Sequence, residues 1–123
     1  MKRDQTAEDF LPLKAHWFHV LLSLADQEQH GYGIMQEVLE RTGGKVRLWP
    51  ATLYGTLKRL LDAGLIDECA GRGSRDSGDE RRRYYRLTRL GRRVLEAESA
   101  RLEDLVRVLH AKRGGLKKQE AGS

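Results

Sequence analysis

Between residues 50 and 70 the chain reads PATLYGTLKRLLDAGLIDECA, a predicted helix, stop and strand in succession. Pro50 suits a first helical turn, where its missing N–H leaves no internal bond unmade. Leu53, Leu57, Leu60 and Leu61 then fall on one side to about Ala63, at the period of an amphipathic helix. Gly64 ends the helix, as glycine does just past a C-terminus. Leu65 to Ala70 reads as a strand, and residues 71–81 (GRGSRDSGDER) hold no apolar anchor, which predicts a loop projecting into solvent. Arg82 to Leu87 reads as the returning strand, so the two make a hairpin.

Upstream, residues 1–10 are polar and predict a frayed tail. From Leu11 a first helix carries Leu13, Trp17, Leu21 and Leu24, with Phe18, Val20, Leu22 and Ala25 widening the stripe beyond one core-facing side. Asp26 to Gln29 reads as a turn, and His30-Gly31 leads into a second helix, Tyr32 to Thr42, stopped by Gly43-Gly44. Lys45 to Leu48 alternates like a stub of strand. Downstream, Thr88 is a good N-cap for a long last helix. Its Leu95, Leu102 and Leu109 lie seven apart, joined by Leu105, Val106 and Val108, a pattern that asks for a partner helix. Gly114-Gly115 should end it, leaving 114–123 as a disordered basic tail.

The fold class is therefore mainly α with a small β-hairpin: a winged helix-turn-helix over 11–87 and a long C-terminal dimerisation helix over 88–113. In that layout the third helix enters the DNA major groove and the hairpin loop touches the backbone or minor groove. Charge agrees. The 123 residues carry a net charge of +5. Residues 43–93 hold 13 basic and 6 acidic side chains, whereas residues 1–42 hold 4 and 7. A positive middle suits phosphate.

On the third helix, Gly55, Arg59 and Asp62 point away from the leucines, Thr52 and Lys58 flank them, and Tyr54 and Thr56 lie at the borders with the core. Donors near the helix start and a small residue for close approach are what groove reading needs. The competing explanation is a solvated face with an incidental glycine. Arg72, Arg75, Arg81, Arg82 and Arg83 give the wing phosphate-binding groups, partly offset by Asp76, Asp79 and Glu80. Lys45 and Arg47 of the basic middle, and the hydroxyl of Tyr32, complete the candidate DNA contacts. Tyr84 and Tyr85 should face opposite sides of their strand, one inward.

The segments HGYGI (30–34), PATLYGTLKRL (50–60), GLI (64–66), RYYRLT (83–88) and Gly91 resemble the PadR family of bacterial winged-helix regulators, in order, over about residues 11–110. Length and the single last helix are similar to its small subgroup. The resemblance implies a homodimer built on the C-terminal helix with help from the first, bound to an inverted-repeat operator and usually repressing a neighbouring gene. It matches Tyr32, Thr52, Tyr54 and Lys58 to the DNA-facing surface and the wing arginines to the backbone-contacting hairpin. Candidate interface residues are Leu13, Trp17, Leu21, Leu95, Leu102, Leu105, Val106 and Leu109. Two departures stand out: Ala51 replaces a common glycine, and no aromatic residue lies between Val94 and His110, where some small members hold flat aromatic ligands. Trp17 is then the one candidate to line an effector cavity, although core or interface packing is its more ordinary role.

Other signals are weak. His16 and His19 lack a third metal ligand in sequence, so no metal site is expected. Cys69 stands alone, and Glu96, Glu98 and Glu103 read as helix-surface charges. Ser74 and Ser77 have no activating base, and no glycine-rich loop opens a helix after a strand, so neither enzyme nor cofactor is expected. The N-terminus has no apolar signal region and no run is long enough to span a membrane, which predicts a cytoplasmic protein. The alternative function is a winged-helix interaction module without specific DNA readout. A regulator of the multiple-antibiotic-resistance type fits less well around Tyr32 and Tyr54.

Overall fold

A computed structural model describes residues 5–70 and 83–122. Its elements are a 3-10 helix (Ala7–Phe10), α1 (Ala15–Ser23), β1 (Gln29–His30), α2 (Gly31–Arg41), α3 (Pro50–Asp62), β2 (Ile66–Cys69), β3 (Tyr84–Leu87), α4 (Arg89–Ala111) and α5 (Arg113–Ala121). The three helices, the β2–β3 pair and the long last helix follow the predicted order. Among the described residues no helix is long and apolar enough to cross a membrane.

The core unites helices α1 to α3, β2, β3 and the first turns of α4. Val20, Leu21 and Leu24 of α1 meet Ile34 and Val38 of α2, Leu53, Leu57 and Leu60 of α3, Ile66, Tyr85 and Leu87 of the sheet, and Val94 of α4. Leu48 and Leu65, flanking α3, are also fully buried and fix both its ends. Leu21 and Leu13, named from sequence as interface residues, belong to this core and are unavailable to a partner. Leu21 turns inward because α1 packs against α2, α3 and α4 together, and Leu13 is buried in the segment that leads into α1. As expected, Tyr85 is the buried member of the tyrosine pair and Tyr84 the half-buried one.

The sheet has three strands, not two, in the order β1-β3-β2, with Gln29 opposite Tyr85 and His30 opposite Tyr84. The turn read at Asp26 to Gln29 thus ends in a short strand. Two residues are too few to leave a periodic signature, and only pairing with β3 reveals them. Lys45 to Leu48 forms no strand. An Arg41 side chain ties α2 to α1, donating to Glu37 at 2.9 Å, to the His19 carbonyl at 3.0 Å and to Ser23 Oγ at 3.3 Å. Gln29 Nε2 donates to the Ser23 carbonyl at 2.7 Å and to Glu37 at 2.9 Å. Together these bonds set the α1–α2 angle that carries α3.

Both predicted tails are ordered differently. Residues 7–10 form the 3-10 helix, with the Thr6 backbone N–H donating to Asp9 at 2.9 Å and Ala7 and Phe10 packed against the core beside α4. Polarity had suggested fraying, but Ala7, Phe10 and Leu11 offer enough apolar contact to dock the arm. The first helix starts at Ala15 instead of Leu11, because Pro12 disfavours helix at the residue before it. At the other end Gly114 and Gly115 do not terminate the helical run. They occupy the first turn of α5, where Leu116 N donates to the Lys112 carbonyl at 3.2 Å. Glycine weakens a helix without forbidding it.

Glu98 is only 3% exposed, contrary to its reading as a surface charge. It accepts two bonds from Arg101, that from the terminal nitrogen at 2.9 Å, and one from the Leu13 backbone. Arg101 above all, with that backbone N–H in support, holds the carboxyl below its ordinary value of 4.5 against the opposing effect of burial. A pKa lower in the folded state means stabilisation complete at neutral pH and lost as pH falls through the folded value. Glu98→Gln is expected to lower stability near neutral pH by about 1–2 kcal/mol and to flatten the decline below the ordinary value of 4.5. Thermal melts from acid to neutral pH check this; parallel curves for the two proteins would contradict it.

Candidate nucleic-acid interface

The outer face of α3 is built by subtraction. Leu53, Thr56, Leu57 and Leu60 are buried, which leaves Ala51, Thr52, Tyr54, Lys58, Arg59 and Asp62 exposed. Thr56, predicted at the border of the reading face, is 3% exposed and cannot reach a ligand. Its position three after Leu53 and four before Leu60 puts it inside the core stripe. A Cβ on Gly55 would meet nothing within 4 Å. Internal packing therefore does not require glycine there.

Tyr54 lies across the start of α2, its hydroxyl 3.0 Å from where a Gly31 Cβ would stand, and is still more than half exposed. Tyr32, equally exposed, accepts a bond from Gln36 Nε2 at 3.0 Å. His30 joins these elements. Its Nδ1 accepts from Gly33 N at 2.8 Å as the cap of α2, and its ring lies 5.2 Å from Tyr84 and 6.4 Å from Tyr32. A Cβ on Gly33 would stand 2.8 Å from Gln29 Oε1 and 3.2 Å from the His30 ring, both side-chain atoms that would have to shift. The start of α2 is thus fastened to β3, the strand at the base of the hairpin.

Lys45 and Arg47 are exposed ahead of α3. Arg83 is exposed at the start of β3, where it pairs with Glu68 at 3.5 Å. Arg72, Arg75, Arg81 and Arg82 lie outside the described residues. Sequence reasoning missed Trp49, which is 63% exposed and lies under the Arg47 guanidinium at 5.1 Å. A large aromatic in a basic stretch, directly before the proline that opens a helix, was the available signal.

A second surface lies between α1 and α4. An open groove of about 540 Å³ is lined by Phe18, Leu22, Leu95, Leu102 and Val106, with Glu96, Ser99 and Glu103 at its margin. Beyond it Leu105, Val108 and Leu109 of α4 and Leu116 of α5 are about half exposed. These side chains give α4 and α5 an apolar surface outside the core. Trp17 is half-buried against the core with Lys14 over its ring at 5.5 Å; the groove's aromatic residue is Phe18.

The Transcriptional regulator PadR-like family matches residues 20–97. Transcriptional regulator Rv3488 of Mycobacterium tuberculosis is 41% identical over 90 residues, covering 72% of this chain and 77% of that protein. A PadR family transcription regulator from Clostridium difficile aligns with a TM-score of 0.68 and 26% identity, covering 80% of this chain and 97% of the other. Bacillus subtilis PadR in complex with operator DNA aligns with a TM-score of 0.56 and 25% identity, covering 70% and 47% respectively. The elements that build the α3 face, the hairpin base and the start of α4 fall inside the matched residues, and this chain is a winged-helix transcriptional regulator of the PadR-like family.

Proposed function

We propose that this chain is a homodimeric repressor that reads an inverted-repeat operator with α3 in the major groove. The carrying observation is the outer face of α3, where Thr52, Tyr54, Lys58 and Arg59 surround a glycine with open space above it. The likeness to a PadR bound to operator DNA supports it. The apolar surface of α4 supports the dimer, because a two-fold protein suits a two-fold site with half-sites about one helical turn apart. The groove between α1 and α4 is large enough for a small-molecule effector that would release the operator.

The test is selection of DNA from a random duplex pool, followed by affinity against salt. An enriched inverted repeat bound far more tightly than scrambled DNA is the expected result, with Lys58→Ala weakening binding and reducing the salt slope by about two, one for each protomer. A steep salt slope without enrichment would favour the interaction-module reading instead. Gly55→Ala gives a prediction of opposite signs. The substitution should stabilise the fold by about 0.5–1 kcal/mol, since helix-interior glycine is costly, and weaken operator binding. A variant that melts higher yet binds DNA unchanged would show that α3 does not approach the groove closely at this residue.

A further inference from the structure

Trp49 is the least explained residue of the surface around α3. It neighbours fully buried Leu48, yet its own side chain is 63% exposed. Its backbone is extended, φ −65° and ψ 152°, as the cap of α3. The Arg47 guanidinium, two residues back, covers one face of the indole at 5.1 Å from the ring centroid. Such a stack restrains both side chains and leaves the guanidinium N–H groups available at its edge. Pro50, Ala51 and Thr52 are exposed, so the N-terminal end of α3 is open on this side, and Lys45 adds a further cation.

We infer that Arg47 and Trp49 form one sugar–phosphate clamp on DNA, the indole packing on a deoxyribose while Arg47 bonds the adjacent phosphate, and so hold the first turn of α3 over the groove. The inference rests on the proposed reading of α3 as the DNA-binding helix. Chemistry selects the DNA backbone as occupant. Cations and the positive end of a helix dipole favour an anion. The indole has a single donor, too few to distinguish bases, and the donor fork left at the edge of the stack matches a phosphate beside the helix start. The contact is therefore indifferent to sequence.

Two duplexes serve as probes, the one enriched by selection and a scrambled one of equal length. Trp49→Ala should weaken binding to both by about tenfold, the order expected for returning a half-exposed aromatic surface to water. Arg47→Gln should do likewise and lower the salt slope by about two, one for each protomer. The double substitution should cost less than the product of the single losses, as for residues acting as a unit. Tryptophan emission should shift when wild-type protein is saturated with DNA, and this shift should vanish in Trp49→Phe, which retains Trp17. Affinity within about twofold of wild type for Trp49→Ala, with the emission shift intact in Trp49→Phe, would overturn the clamp. A loss confined to the enriched duplex would also overturn it, because Trp49 would then be reading a base. If Lys58→Ala leaves affinity unchanged as well, the reading of α3 fails and takes the clamp with it. If Lys58→Ala weakens binding while Trp49→Ala does not, only the clamp is wrong.

Discussion

Replacing Gly91 by alanine is expected to destabilise this protein more than any exposed substitution. An added Cβ would stand 2.0 Å from the Leu65 carbonyl oxygen and 3.0 Å from its carbon, both backbone atoms that no side-chain rotation can move aside. That carbonyl already accepts the Thr88 backbone N–H at 3.1 Å. Thr88 Oγ1 donates to the Gly64 carbonyl at 2.7 Å and accepts from Gly91 N at 3.0 Å. Gly64 itself has φ +77°, and Leu65 N returns to the Leu60 carbonyl at 3.0 Å, closing the end of α3. One tight joint therefore holds α3, β2 and α4 together. Making room for a methyl group means withdrawing α4 and losing these bonds, at a cost of about 3–5 kcal/mol. Thermal unfolding should fall by at least about 10 °C. Gly114→Ala is the control, because a Cβ there meets nothing within 4 Å. A Gly91→Ala protein melting within about 2 °C of wild type would refute the close approach.

Leu105→Asp is expected to leave the monomer folded and abolish the proposed dimer. Leu105 is 54% exposed and lies outside the core, so a charge at that position meets solvent in an isolated chain. In a dimer the same carboxylate would be buried without a partner, a cost of several kcal/mol. Sedimentation should then report the mass of one chain, 14.1 kDa, instead of twice that value. Losing the second half-site contact should weaken operator binding by about 100-fold or more. An intact dimer with Leu105→Asp would move the interface off this face of α4. Leu102, the equivalent choice from the heptad pattern, is the poorer probe because it lines the groove beside Phe18 and Leu22. A charge there would disturb packing within the chain as well as between chains.

The heptad leucines show how far a periodic pattern carries. Spacing correctly marks α4 as apolar along one side, but Leu95 and Leu102 belong to the groove shared with α1, whereas Leu109 stays half exposed. The same holds for α1, whose stripe identified a helix while leaving open which residues face inward. Leu21 went to the core, and Phe18 and Leu22 to the groove. Thr56 shows the same limit: its helical angle places it at the border of the reading face, and packing around Leu53 and Leu60 buries it.

Features encoded within a helical turn or two are legible in the amino-acid order. They include α3 between Pro50 and Gly64, the Thr88 cap, the separate strands β2 and β3, and the exposed residues Thr52, Lys58 and Arg59. These depend on local steric preference and on side-chain period, both of which neighbouring residues carry. Packing in three dimensions sets the docking of residues 7–10 on α4, the burial of Glu98 between Arg101 and the Leu13 backbone, the third strand at Gln29–His30, and the Arg47–Trp49 stack. All but the last join segments far apart in the chain, and even the stack depends on where Leu48 and Leu53 anchor the entry to α3. Burial is set by what packs from elsewhere in the molecule, and no local period records it.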